Sequence, residues 1–146
     1  MMRLKKYTDY ALRVLILTGS KQSDQQTSIK EIADSFSIST EHVRKVVFQL
    51  NKLGFIKTTR GRNGGIRLAQ DPREINVGNV VRLMENDFVL LECFDKDTNH
   101  CIITPSCKLK HALNKALQAF LQVLDDYTLE DLLANKEELR SLINLD

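Results

Sequence analysis

Residues 28–68 read SIKEIADSFSISTEHVRKVVFQLNKLGFIKTTRGRNGGIRL, and the reading of this stretch decides the fold. Ser28 followed by Glu31 has the capping-box form, in which a hydroxyl and a carboxylate satisfy free amides at a helix start. Ile29, Ile32, Ala33 and Phe36 give the short helix that follows its buried face. A few residues on, Ser39 is a good N-cap for a second helix, where Val43, Val46, Val47, Leu50 and Leu53 recur at three- and four-residue spacing until Gly54 stops it. The short connection makes the pair a helix-turn-helix. Residues 55–60 then read as a strand, 61–65 as a tight turn and 66–68 as the returning strand, with Asn63-Gly64 expected to supply the positive backbone angles of a two-residue hairpin. Helix-turn-helix followed at once by a basic hairpin is the order of a winged helix.

Outward from this core, a first helix is expected over about Thr8–Gly19, from Ala11, Leu12, Leu15 and Ile16 at helical spacing. After a linker at Asp71-Pro72, a helix over about Asn76–Met84 presents Val77, Val80, Val81 and Met84 on one face. Residues 85–106 show no sustained period. Thr104-Pro105 is expected to open the next helix, with Thr as cap and Pro in the first helical position, placing Cys107 in its first turn. That helix reaches about Asp125, and Thr128 to about Ile143 holds a last helix or pair of turns. Leu109, Ala112, Leu113, Ala116, Leu117, Phe120, Leu121 and Leu124 form an apolar stripe wider than one small domain needs. A twin helix in a homodimer is the expected outlet, with cover by the chain's own last helix as the alternative. The fold class is mainly α: a winged helix-turn-helix domain over 1–70, a connecting helix and cysteine loop over 71–106, and a long dimerisation helix with a C-terminal helix over 107–146.

Charge separates the two halves. Residues 1–68 carry thirteen Lys or Arg against five Asp or Glu, a net of +8, whereas 69–146 carry eight against fourteen, a net of −6. The first half is built for a polyanion. In a helix-turn-helix, residues near the start of the second helix reach base edges, which nominates Ser39, Thr40, His42, Arg44, Lys45 and, a turn later, Gln49. Arg44 and Lys45 suit guanine or phosphate, and Gln49 suits adenine. The wing adds Lys57, Arg60, Arg62, Asn63, Gly64 and Arg67, its glycines permitting close approach to a groove. Each basic residue alone is equally consistent with a solvated helix face; the set and the +8 charge point to double-stranded DNA.

The three cysteines, Cys93, Cys101 and Cys107, lie within fifteen residues, separated by seven and then five others. Paired Cys-x-x-Cys spacing, the usual sign of a zinc ribbon, is missing. Three thiolates on a loop suit a polynuclear iron-sulfur cluster with a fourth ligand that is not cysteine. Thiol redox sensing and plain burial stay open on spacing alone. His100, His111, Glu85 and Asp9 are all chemically able to complete the set.

Several classes fall away. The phosphate-binding Gly-x-x-x-x-Gly-Lys pattern is absent, and no nucleophile, base and orienting partner can be placed together, so an enzyme is not expected. The opening Met-Met-Arg-Leu-Lys-Lys lacks the apolar run of a signal peptide and no apolar stretch is long enough for a membrane span, so a cytoplasmic location with no membrane partner is expected.

The residues also resemble a known family, the winged-helix iron-sulfur transcription regulators, and within it the nitric-oxide-sensing repressors. The resemblance runs through Tyr7-Thr8-Asp9-Tyr10-Ala11-Leu12-Arg13, Ile32-Ala33, Arg60 to Leu68, the three cysteines and Thr104-Pro105-Ser106-Cys107 with Leu109, Lys110, Ala112 and Leu113. It implies a homodimer on a partly palindromic DNA operator, with a cluster near the dimer interface held by Cys93, Cys101 and Cys107. The cluster implied is 4Fe-4S in preference to 2Fe-2S, with Asp9 as an oxygen ligand donated across the dimer. Nitrosylation of the cluster would lower operator affinity and release nitric oxide detoxification genes. The alternatives are an iron-sulfur or iron-status regulator of the same fold, or a zinc- or thiol-dependent protein. Cluster-biogenesis regulators of the family carry a histidine three residues past the last cysteine; here position 110 is Lys and the histidine is His111.

Overall fold

The computed structural model describes residues 2–22 and 24–143 as seven α-helices and one two-stranded sheet. The first helix, α1 (Lys6–Ser20), runs through the middle of the molecule and buries Thr8, Ala11, Val14, Leu15 and Leu17. Against it lies α3 (Thr40–Lys52), on which α2 (Ile29–Phe36) packs to complete the helix-turn-helix pair. Ser28 and Ser39 cap these helices as expected, accepting the N–H of Glu31 at 3.1 Å and of His42 at 3.2 Å. The capping box is only half made. The Glu31 carboxylate turns to the Lys21 ammonium at 2.6 Å and the Thr27 hydroxyl at 3.0 Å, tying α2 to the loop before it.

The wing pairs β1 (Ile56–Thr59) antiparallel to β2 (Gly65–Leu68), with Ile56 opposite Leu68 and Thr59 opposite Gly65. This register leaves a five-residue loop, 60–64, rather than the two-residue turn expected from Asn63-Gly64. The positive angle falls on Gly61, φ +97°, and neither Asn63 nor Gly64 has one. Gly64 is needed for space: a Cβ there would meet the Thr59 carbonyl oxygen and lie 2.7 Å from the Arg60 carbonyl carbon.

Next, α4 (Val77–Glu85), capped by Asn76, leads into a run shaped by two short 3-10 turns, Glu92–Phe94 and Thr104–Ser106. Thr104 does not cap the long helix α5 (Lys108–Asp125). Its hydroxyl bonds back to the Cys101 carbonyl at 2.8 Å, closing a separate turn, and Cys107 with extended φ −83° and ψ 112° becomes the N-cap residue of α5. Finally α6 (Leu129–Leu132), with a complete Thr128/Asp131 capping box, and α7 (Lys136–Ile143) fold back onto α1. Leu129 and Leu133 thereby join the core of Leu15, Leu17, Ile32, Leu50, Ile56 and Ile75.

Helix α5 packs on α4 through Leu117, Leu121 and Leu124, against Val77 and Val81. A bidentate Arg82–Asp125 pair, 2.9 Å between Nη2 and Oδ2, fixes its far end. Because α7 lies on α1, it does not cover the rest of α5. Leu109, Ala112, Ala116, Phe120 and Val123, spaced three or four residues apart, form one continuous exposed stripe.

Candidate nucleic-acid interface and cysteine loop

The DNA-reading residues nominated from sequence come out on one accessible surface. Ser39, Thr40, Arg44 and Lys45 at the start of α3 are exposed, and Gln49 is half-buried one turn later. Val43, Val46, Val47 and Leu50 hold the opposite face of α3 in the core, which orients the polar face outward. Among the described residues Arg44 pairs only with Glu41, at 3.7 Å between exposed side chains. His42 is placed differently. Its ring packs edge-on to Tyr7 at 5.7 Å and lies 6.1 Å from Tyr10, so it joins the start of α3 to α1 as well as facing the α3 surface.

In the wing, Lys57, Arg60, Arg62, Asn63 and Arg67 are all exposed, while Ile56 and Ile66 anchor the hairpin in the core. The Lys and Arg side chains of this loop and its strands form no salt bridge among the described residues. A third segment steadies the wing. Thr27 and Ile66 exchange backbone bonds of 2.9 and 2.8 Å, and the Gln26 amide accepts from the Thr59 hydroxyl at 3.4 Å and donates to the Asn63 carbonyl at 3.5 Å. Residues 21–27 are polar in sequence, and the isolated β-branched Thr27 before Ser28 is the one local sign of this bridge.

The cysteine run is built from local side-chain bonds rather than from helix or sheet. Asp95 accepts the Asp97 N–H at 3.0 Å and the Thr98 hydroxyl at 3.1 Å; Asn99 accepts the Cys101 N–H at 3.0 Å; Glu92 accepts the His100 N–H at 3.2 Å. Cys93, Cys101 and Cys107 are free and half-buried. No side-chain bond caps the first amides of α5, so at Cys107 the positive end of an 18-residue helix faces a thiol.

Among the described residues, no three His, Cys, Asp or Glu side chains come close enough to hold one metal ion. The donor set nevertheless fits a cluster: three soft thiols on one turn-built loop, beside a helix N-terminus that favours a negative group. In a cluster each thiolate binds a different iron, so the sulfurs stand farther apart than around a single ion.

Of the fourth-ligand candidates, Glu85 is buried and already committed, accepting the Lys5 N–H at 2.8 Å and the Thr8 hydroxyl. His100 and His111 are exposed. Asp9, in the first turn of α1, is half-buried and forms a bidentate pair with Arg13 at 2.9 and 3.0 Å.

No described helix is long and apolar enough to cross a membrane. Comparison with known proteins agrees with the geometry. The Rrf2 family, described as an iron-dependent transcriptional regulator, matches residues 4–135. The chain is 61% identical over 145 residues to the HTH-type transcriptional regulator NsrR of Oceanobacillus iheyensis, covering 99% of each chain. It is 51% identical over 144 residues to the regulator of the same name from Bacillus subtilis, again covering 99% of each. Among solved structures, CymR, the global cysteine regulator of B. subtilis, superposes with a TM-score of 0.72 at 28% identity, over 90% of this chain and 96% of that one. The IscR of T. potens gives 0.73 at 24% identity, over 95% and 91%, a likeness of fold. A winged helix with a basic reading face, matched from end to end by regulators of one kind, is a DNA-binding transcription regulator and not an enzyme: the chain belongs to the Rrf2 family.

Proposed function

We propose that this regulator is a cytoplasmic, nitric-oxide-sensing repressor. Residues 1–70 read DNA, 71–106 carry an iron-sulfur cluster, and 107–146 provide the dimer contact and its support. Cys93, Cys101 and Cys107 hold the cluster, of the 4Fe-4S class, and Asp9 of the opposite subunit supplies the oxygen ligand. When bound, the cluster supplies iron that reacts with nitric oxide. The observation that carries this reading is the cysteine run itself: three free, half-buried thiols on one loop, the last at the N-cap of α5.

The chain's own residues do the rest. The exposed stripe from Leu109 to Val123 pairs two copies of α5, which repeats the two reading helices about a twofold axis, as a partly palindromic operator requires. Ser39, Thr40, His42, Arg44, Lys45 and Gln49 face the major groove, with the His42 ring also buttressing α3 against α1. Lys57, Arg60, Arg62, Asn63, Gly64 and Arg67 place the wing on the backbone and minor groove. Asp9 sits on the helix against which α3 packs, so a ligand bond there gives the sensing site a different contact with each arrangement of the reading heads.

Anaerobic purification followed by iron and sulfide analysis tests the assignment. The expected result is about four of each per chain. Stoichiometric zinc, or no metal at all after anaerobic reconstitution, contradicts it.

A further inference from the structure

Three of the first four helices open on a cap from an adjacent residue: Ser28, Ser39 and Asn76. The exception is α1, where Lys5 occupies the cap position and its side chain has no oxygen to accept an amide. An acceptor for the N–H of the cap residue itself, the bond that the carboxylate of a capping box makes, arrives from eighty residues away. One oxygen of the Glu85 carboxylate accepts both the Lys5 N–H, at 2.8 Å, and the Thr8 hydroxyl. The Lys5 ammonium in turn donates to the Glu85 carbonyl and lies 3.7 Å from Asp87. Thr8 is fully buried and Glu85 only 6% exposed, so the clasp is sheltered from water.

What the clasp joins gives it meaning. Glu85 is the last residue of α4; Asn86, at φ +67°, breaks the helix, and the run toward Cys93 starts there. Thr8 is followed by Asp9. A local cap would stabilise α1 equally well but would not register its first turn against α4. Beside the clasp, Tyr7, Leu83, Met84 and Asn86 face Lys45, Val46 and Gln49 of the reading helix across an open cavity of about 410 Å³. The departure point of the cysteine run therefore borders an open cavity that it shares with α3, and α4 packs directly on α1.

We propose that Glu85 is a positioning residue, which sets the first turn of α1 against the end of α4 in its own chain and so holds Asp9 in place for the cluster of the opposite subunit. The proposal rests on the reading of Asp9 as the cluster's oxygen ligand. A displacement of the run is then carried to the first turn of α1 by the Glu85 clasp, and from α1 to α3.

The test compares E85A, E85Q, T8A, D9A and the E85A/D9A double variant, as full-length proteins purified anaerobically with their cluster. Visible circular dichroism reads the cluster environment, and hydrogen exchange on the cluster-free proteins reads the first turn of α1. In E85A, exchange at residues 8–10 rises about fivefold, the size a lost helix cap gives. The dichroism moves in the direction of D9A and moves no further in the double variant. E85Q, whose amide oxygen still accepts both bonds, restores both readings, and T8A gives a smaller shift of the same sign, which keeps the test open if E85A folds poorly. A changed D9A spectrum beside a wild-type E85A spectrum overturns the positioning role alone, as do additive shifts in the double variant. An unchanged D9A spectrum removes the Asp9 reading, and the positioning role falls with it.

Discussion

The winged-helix half and the cysteine half of this chain are built to different standards of completeness. In residues 6–68 Ser28 and Ser39 cap α2 and α3, and the apolar faces of α1, α2, α3 and the wing meet in one core. Between Asn86 and Thr128, by contrast, Leu121 is the one buried side chain among the described residues. Ile102 in the cysteine run is 92% exposed, and a five-residue apolar stripe runs open along α5. Contiguous exposed apolar surface on a folded chain marks a site of association. The first half is finished within one chain; on the proposed reading, the second is finished by a partner copy and by the cluster that the thiols hold. On that reading the cysteine half is the one whose stability depends on a ligand.

The comparison breaks first at the thiols. Replacing Cys93, Cys101 or Cys107 with Ala is expected to reduce iron and sulfide to near zero while leaving helix content, read by far-ultraviolet circular dichroism, close to wild type. A variant that instead unfolds would show that the cysteine half supports the core. Second, F120D on the exposed stripe of α5 should convert the dimer to monomer in sedimentation velocity. Operator affinity should fall on the order of a hundredfold, because a charge buried at an interface without a partner is costly. Unchanged sedimentation would place the dimer contact elsewhere.

Third come the contacts that read DNA. Gln49→Ala should cost about 1–3 kcal/mol at one base position and relax specificity there. Arg62→Ala or Arg67→Ala should weaken all sequences alike and lower the salt slope by about one. Binding measured over a salt series on a fragment selected from a random DNA pool separates the two behaviours.

The smallest effect concerns the α4–α5 join. The Arg82 guanidinium hydrogen bonds to Asp125 and holds its carboxyl below the usual carboxylate range. A lowered folded-state value means the stabilisation is present above the unfolded value, near pH ~3.9, and is lost as pH falls through the folded one. Asp125→Asn should therefore narrow the stability difference between neutral and acid solution, seen as a shallower acid limb in a pH series of thermal melts. The same limb in both proteins would show that the pair adds nothing.

How much of this was legible in the sequence follows the same division. Helix positions in the first half were readable because caps and apolar spacing agree locally: Ser39 with Val43, Val46 and Val47 leaves one plausible helix. The wing was readable as a hairpin but not in its turn, since Gly61 rather than Asn63-Gly64 carries the positive angle and Gly64 serves close approach. Thr104-Pro105 has the signature of a helix start, yet the Thr104 hydroxyl accepts from the Asn99 amide and donates to the Cys101 carbonyl, closing a separate turn. The Glu85 clasp and the Arg82–Asp125 pair join residues eighty and forty-three positions apart. No local pattern announces such partners. The cysteines were legible as a group because three thiols crowd into fifteen residues, whereas their arrangement depends on turns that spacing does not encode.

The central claim is that the thiol-bearing half controls the DNA-reading half in response to nitric oxide. The direct measurement is an anaerobic nitric oxide titration of the cluster-loaded protein on its selected DNA fragment, following visible absorbance and DNA binding in the same samples. The account predicts that the cluster absorbance bleaches and DNA affinity falls together, with the same stoichiometric end point, and that the Cys101→Ala protein shows neither change. Bleaching with DNA affinity unchanged, or a colourless protein that binds equally with and without nitric oxide, would contradict it.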